Sequence, residues 1–268
     1  MPSSQPEPKP RSPLKREPLR LPGQSIGEAL DAERDRITEP VMMAVWFWSI
    51  AAMEWFYDVL KSPRSPWVLT VAAVGVTAWA LLKISGCRKR MDNLKLGQRG
   101  EQLVAEHLEA LRPLGFRPLN DLVAGRFNID HVLVGPQGIF AVETKTRSKS
   151  GGREEKIQVD GSRILIGGRV AEPNPVDQAK ANAGWIRELL ARSTGREFRV
   201  EPIVIFPGWW VEFSQKPNGM FVMNEKGLEN IIAKLPVVLT KEEIAMASLH
   251  LEQFVRASAE NKKAGSES

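Results

Sequence analysis

One cysteine and three histidines among 268 residues leave few of the common metal and redox chemistries open. A single thiol, Cys87, cannot supply a disulfide framework, a Cys₄ site or a Cys₂His₂ zinc site. His107, His131 and His250 are too widely spaced for an H-E-x-x-H helix, which argues against a catalytic zinc centre. Neither a G-x-x-x-x-G-K-[ST] run nor a G-x-S-x-G elbow is present, so a P-loop enzyme or an α/β-hydrolase is not indicated. Catalysis would have to rest on carboxylates, lysines and amides. The composition does support folding: 43% hydrophobic and 26% charged residues are the balance of a chain with a core, long enough for one or two domains.

Positive charge is also scarce where a nucleic acid would need it. The net charge is +5, but residues 1–90 carry 13 Lys/Arg against 9 Asp/Glu and the rest of the chain carries 24 against 23. Any grip on a phosphate backbone must come from local patches rather than bulk charge.

Residues 1–24 are rich in proline and charge and read as a disordered tail. Ser25 with Glu28 forms a capping box that predicts a short helix from Ile26 to about Pro40. Two apolar runs follow, Val41–Leu60 and Trp67–Ile84, near the ~20 residues that cross a bilayer. No apolar run starts near residue 1, so no cleaved signal peptide is expected. Glu54 and Asp58 count against the first run, but both lie in its last third, where they reach the interface. The alternative is a pair of helices buried in a soluble domain. Basic residues flank the pair: seven before Val41, and Arg88-Lys89-Arg90 directly after. The positive-inside rule then places both flanks in the cytoplasm and the Lys61–Pro66 loop outside, in a multi-pass cytoplasmic (inner) membrane protein with both termini cytoplasmic.

Beyond the anchor, Leu94–Leu111 shows apolar positions at helical spacing (Leu103, Val104, His107, Leu108, Leu111) with Glu101 on the rim of the stripe. An acid there is also what a solvated first turn would carry. Asn128–Val134 and Ile139–Lys145 read as a hairpin joined by Gly135-Pro136-Gln137-Gly138, a four-residue loop on a type I turn with proline second. Val134 then faces Ile139, Asp130 faces Glu143, and Lys145 projects from the same face. A bulged three-residue loop would separate the two acids. In the favoured register the carboxylates lie about 5 Å apart. At an effective dielectric near 20 their repulsion is roughly 3 kcal/mol. A bridging divalent cation removes that cost and a neighbouring lysine lessens it; the apolar company of Val132, Val134, Ile139 and Ala141 argues against a merely polar face.

Ile157–Val170 carries Asp160-Gly161 at a tight turn, a hairpin signal. Asn174-Pro175 opens a helix that Gly195 follows, with Ala179, Ala183, Ile186 and Leu190 as its apolar stripe. Gln178 and Asn182, four residues apart, are either surface amides or within reach of the acids. Arg199–Pro207 and Gly219–Asn224 read as strands, and Thr240 with Glu243 as the capping box of a last helix to about Ser258. The order predicts an α/β sheet with helices packed on it.

The ordered runs GQRGEQLVAEHL, NIDHVLVGPQGIFAVETK and NPVDQA, spanning about residues 94–210, resemble the nuclease-related domain (NERD) of the PD-(D/E)XK superfamily. The resemblance implies a restriction-endonuclease-like mixed sheet flanked by helices, here preceded by two transmembrane helices. It implies that Glu101 is the helix acid, Asp130 the strand acid, Glu143 and Lys145 the E-x-K pair, and Gln178 the amide of the following helix. The domain organisation expected is a tail and short helix (1–40), a transmembrane hairpin (41–87), the nuclease-like domain (88–210) and a C-terminal strand and helices packing on it (211–268).

On that basis Asp130, Glu143 and the Thr144 carbonyl are expected to bind Mg²⁺, or Mn²⁺ in its place, through hard oxygen donors. Lys145 would orient or deprotonate water, or offset transition-state charge, with Glu101 and Gln178 beside it. Arg147, Lys149 and Arg153, in a Gly/Ser-rich stretch, are expected to touch nucleic-acid phosphates unless that stretch is a solvated loop. The function expected is a membrane-anchored, cytoplasm-facing, metal-dependent nuclease acting on phosphodiesters, in DNA rather than RNA. The competing reading is a catalytically silent, membrane-tethered binding or scaffold module on the same fold.

Overall fold

The computed structural model describes residues 20–59, 67–125, 127–149 and 156–266. The tail before Arg20, the Lys61–Pro66 loop and Arg153 lie outside them. Two long helices come first, α1 (Gln24–Val59) and α2 (Trp67–Glu109), packed against each other as a hairpin. At 1.5 Å per residue they are about 54 and 65 Å long, well beyond the ~30 Å of a bilayer core. The break expected at Pro40 does not occur: the proline lies inside α1. A mid-helix proline forfeits one backbone bond, and α2 alongside keeps the helix together. Likewise the second apolar run and the amphipathic stretch from Leu94 are one helix, since no proline lies between them. Small residues (Ala51, Ala73, Ala80, Cys87) are buried along the hairpin, and the Trp48 and Trp55 indoles donate to Thr77 Oγ1 and Thr70 Oγ1, each at 2.9 Å. Met42, Trp46, Phe56, Val68 and Leu82 are exposed.

By length and composition, one helical stretch among the described residues, that beginning at Trp67, suffices to cross a membrane. The first run, Val41–Leu60, is not apolar enough over its described residues to pass the same measure. Glu54 and Asp58, together with the three tryptophans Trp46, Trp48 and Trp55, leave it less apolar than its length suggests.

The domain is built on a mixed five-stranded sheet in the order β1-β2-β3-β7-β9: β1 (Arg117–Ala124), β2 (Phe127–Gly135), β3 (Gly138–Thr144), β7 (Val200–Ile205) and β9 (Phe221–Met223). β1, β2 and β3 run antiparallel, whereas β3, β7 and β9 are parallel, as crossover connections require. A smaller sheet, β6-β5-β4-β8, joins β4 (Ile157–Asp160), β5 (Arg163–Ile166), β6 (Arg169–Val170) and β8 (Val211–Gln215). The β4–β5 turn is centred on Gly161 and Ser162, one residue beyond the expected position, with Asp160 paired to Arg163.

Two strands were not legible. β1 carries Pro118 and the polar pair Asn120-Asp121, which spoil its alternation; it is an edge strand, where a proline is tolerated. β8 is mostly exposed and is held by parallel pairing with β4.

The main sheet is covered on both faces. Val132, Val134, Ile139 and Ala141 pack with α3 (Pro175–Thr194) and α5 (Lys241–Ser266). Leu133, Phe140 and Val142 pack with Val104 and Leu108 of α2 and with Leu228 of the short α4 (Gly227–Asn230). The α3 termini are as expected: Asn174 Oδ1 accepts from the Val176 N–H at 3.1 Å, and Gly195 closes the helix at φ +70°. The Thr240–Glu243 capping box opens α5 through two reciprocal bonds, of 2.9 and 3.2 Å.

Candidate active site

The β2–β3 turn sets the geometry of everything that follows. Val134 faces Ile139, and pairing continues to Gly135 and Gly138, so Pro136 and Gln137 are the two connecting residues. The loop is shorter than expected but has the same even parity, and parity alone fixes the register. His131 faces Val142, which puts Asp130 opposite Glu143 one step further along the pair. Both are buried, with exposures of 9% and 1%. Asp130 Oδ2 accepts the Thr144 N–H at 2.7 Å.

Lys145 leaves the end of β3 and turns back on these acids. Its Nζ lies 2.7 Å from Glu143 Oε1 and donates to Gln178 Oε1 at 3.0 Å. One turn along α3, Asn182 Nδ2 donates to Glu143 Oε2 at 3.0 Å. The i, i+4 spacing of the two amides therefore holds an amine with one and a carboxylate with the other. Asn182 is buried, which the sequence did not reveal: its four-residue spacing from Gln178 was the one available signal.

Glu101 reaches the cluster from α2. It is buried rather than solvated, and its Oε2 has no hydrogen-bond partner. Close packing brings α2 this near: a Cβ at Gly100 would lie 1.9 Å from Thr146 Oγ1 and 3.0 Å from Thr146 Cβ, so only glycine fits between helix and strand end.

Burial is the leading cause of every carboxyl shift in the cluster. Glu101 is pushed up to about 7, by desolvation first and then by the charges of Asp121 and Glu143. Asp130 is raised well above the ordinary carboxylate range by desolvation and by Glu143 and Glu101, against the opposing Thr144 N–H. Glu143 is raised by desolvation, less the effect of Lys145 and Asn182. Three carboxyl groups packed together away from water each hold a proton more tightly than in solvent.

The side chains expected to touch phosphates are less convergent. Arg147 and Lys149 are exposed just beyond the cluster. Lys149 Nζ donates to the Gly208 carbonyl at 2.9 Å and lies 5.2 Å from the Trp209 ring centroid, so its charge is already engaged. Among the described residues no group of three or more His, Cys, Asp or Glu is gathered tightly enough to hold a metal ion as placed. Asp130 and Glu143 nevertheless oppose two buried carboxyl groups across the strand pair, and Glu101 adds a buried oxygen without a partner. That donor chemistry fits Mg²⁺ or Mn²⁺.

No curated protein and no solved structure matches the chain. Residues 96–207, which contain Glu101, Asp130, Glu143, Lys145, Gln178 and Asn182, match the family model of the nuclease-related domain, NERD, and that match implies a nuclease-like fold for this part of the chain.

Proposed function

We propose that this chain is a metal-dependent phosphodiester hydrolase, a nuclease acting on DNA, held at the cytoplasmic face of a membrane by its helical hairpin. One observation carries the reading: Asp130, Glu143 and Lys145 meet at the end of β3 with Lys145 Nζ 2.7 Å from Glu143, inside the stretch that matches a nuclease-related domain. Asp130, Glu143 and the Thr144 carbonyl would hold Mg²⁺ or Mn²⁺, which supplies Lewis-acid polarisation of a phosphate and a more acidic water. The chain's own groups do the rest. Gln178 aims the Lys145 amine, and Asn182 fixes the Glu143 carboxylate from the far side. Lys145 orients or deprotonates the attacking water, or offsets charge building on the phosphate oxygens. Glu101, with a carboxyl that takes up a proton near neutrality, is suited to pass protons at the edge of the site. Arg147, Lys149 and Arg153 would steady the phosphate backbone.

The domain limits that suit this reading are a nuclease-like domain over 88–210, completed by 211–268, with a hairpin over 41–87 between it and the tail and short helix of 1–40. Exposed apolar side chains on both long helices, with basic residues before the first apolar run and Arg88-Lys89-Arg90 directly after the second, favour a multi-pass anchor in the cytoplasmic membrane with both termini inside.

A silent binding or scaffold module is the second reading, and a specific observation favours it. Both Glu143 oxygens are already taken, by Lys145 and by Asn182. The deciding experiment is cleavage of plasmid DNA by the full chain in detergent with Mg²⁺ or Mn²⁺, wild type beside Lys145→Ala. Cleavage by the wild type alone supports the enzyme. Mn²⁺ binding without cleavage of DNA or RNA by either protein supports the scaffold. For the anchor, protease added outside intact cells should cut at the Lys61–Pro66 loop alone; digestion beyond Arg90 would refute the topology.

A further inference from the structure

Asp121 is the one non-glycine residue with positive φ, at +54°, among the described residues, and it is wholly buried. The flanking pairs Asn120–His131 and Leu122–Ile129 bracket it opposite Asp130 across the β1–β2 ladder. A buried carboxylate beside Asp130 and Glu101 adds a negative charge to a site already crowded with them. It is compensated from 101 positions away: Arg20 Nε donates to Asp121 Oδ2 at 2.6 Å. The Ser25 N–H donates to the same oxygen at 3.1 Å, while Ser25 Oγ and Asn128 Nδ2 donate to Oδ1. Arg20 is itself buried and also reaches Ser25 Oγ and Glu28 Oε1, each at 3.1 Å. So the stretch read from sequence as the end of a disordered tail is fastened to the domain by a desolvated ion pair.

What the fastening holds in place is the backbone at Gly23. A Cβ built on Gly23 would lie 3.0 Å from Gln98 Cγ and 3.6 Å from Glu101 Oε2, and the residue has φ +68°. The segment therefore lies on α2 directly over Glu101, and α1 starts from it. Neither Arg20 nor Gly23 falls within the matched stretch 96–207.

We propose that Arg20 is a positioning residue of the candidate site: by pairing with Asp121 it clamps Arg20–Ser25 over Glu101, so that this N-terminal segment is a wall of the site and the first helix of the hairpin is tied directly to it. This rests on the nuclease reading above for its catalytic consequence, but not for the clamp. Lysine keeps the charge and one donor at position 20; alanine keeps neither.

The test uses the full chain in detergent, as wild type, Arg20→Ala and Arg20→Lys. Carbodiimide labelling of carboxyl groups, read by mass spectrometry, reports whether Glu101 is covered. Turnover of supercoiled plasmid DNA with Mn²⁺ reports its catalytic effect. The wild type should protect Glu101, Arg20→Ala should label it at least fivefold faster, and Arg20→Lys should restore most of the protection. In Arg20→Ala, kcat should fall at least tenfold with KM for the plasmid within about twofold, because Arg147 and Lys149 are untouched; Arg20→Lys should recover most of the loss. Glu101 that stays protected in Arg20→Ala overturns the clamp. Glu101 that becomes reactive with kcat unchanged overturns the positioning role. A wild type that cleaves nothing refutes the nuclease reading and the catalytic role with it, while the labelling still decides the clamp.

Discussion

Lys145 occupies the oxygen a cation would want: its Nζ is 2.7 Å from Glu143 Oε1, with Gln178 holding the amine from the other side at 3.0 Å. The amine thus stands in for a positive ion beside two buried acids. Lys145→Ala should destabilise the metal-free chain by about 1–3 kcal/mol, below the 3–5 kcal/mol of a fully buried pair because the lysine is partly exposed. Mn²⁺ binding should persist or tighten, and cleavage should be lost. Thermal melts in EDTA and with excess Mn²⁺ measure both effects. A variant as stable as wild type in EDTA would show that the pair contributes nothing.

Asp130→Asn should have the opposite signature. Without an ion, burial and the charge of Glu143 raise the pKa of this carboxyl, and asparagine removes the disfavoured charge while still accepting the Thr144 N–H. The metal-free chain should be as stable as wild type or more so, since a repulsion of up to ~3 kcal/mol is removed. The stabilisation that Mn²⁺ gives the wild type should disappear, because a ligand selective for the native state acts by mass action. Equal Mn²⁺-induced shifts in Tm for both proteins would eliminate the two-carboxylate site.

The pH dependence of the metal-free chain follows from two buried groups of opposite sign. Glu101 titrates at about 7 when folded and near 4.5 when unfolded. Its stability contribution is complete below pH 4.5 and is lost as pH rises through about 7, at most about 3 kcal/mol. His131, buried with Nδ1 2.8 Å from Asn120 Oδ1, is lowered by desolvation from 6.5 to about 3. Its contribution is present above pH 6.5 and lost as pH falls toward 3. Glu101→Gln should therefore gain on wild type between pH 5 and pH 8 in EDTA, with little difference at pH 5. A Tm difference that is flat across that range would contradict the assignment.

A chain beginning at residue 88 lacks Arg20 and leaves Asp121 without its ion pair. Removing one partner of a buried pair costs on the order of 3–5 kcal/mol. Asp121→Asn should restore part of that loss in the shortened chain, since asparagine tolerates the positive φ and carries no charge. In the full chain the same substitution should destabilise. Paired denaturation curves of the four proteins would test this, and effects of equal sign in both backgrounds would refute it.

Much of the domain was legible because local chemistry and tertiary context agree there. Asn174-Pro175 before an apolar stripe and Gly195 after it bound α3, and Thr240 with Glu243 starts α5, because caps act within a single turn. The Asp130–Glu143 register was legible because alternating strands joined by an even loop leave one choice. Glu101 was not: a helix acid on the rim of an apolar stripe looks the same whether it faces water or a second acid, and only the packing of Gly100 on Thr146 turns it inward. α1 was misjudged at Pro40 because a neighbouring helix outweighs a local breaker.

By itself the sequence determined which chemistry is available, carboxylates with one lysine and two amides, and which of these groups share a strand or a helix face. Those properties follow from residue type and from periods of 2 and 3.6, which need no partner. Only the tertiary structure decided that Asn182 grips Glu143, that Glu101 lies desolvated among other acids, and that Arg20 crosses 101 positions to neutralise Asp121. Contacts between distant elements depend on how faces are apposed, and burial then sets the charge each group can carry.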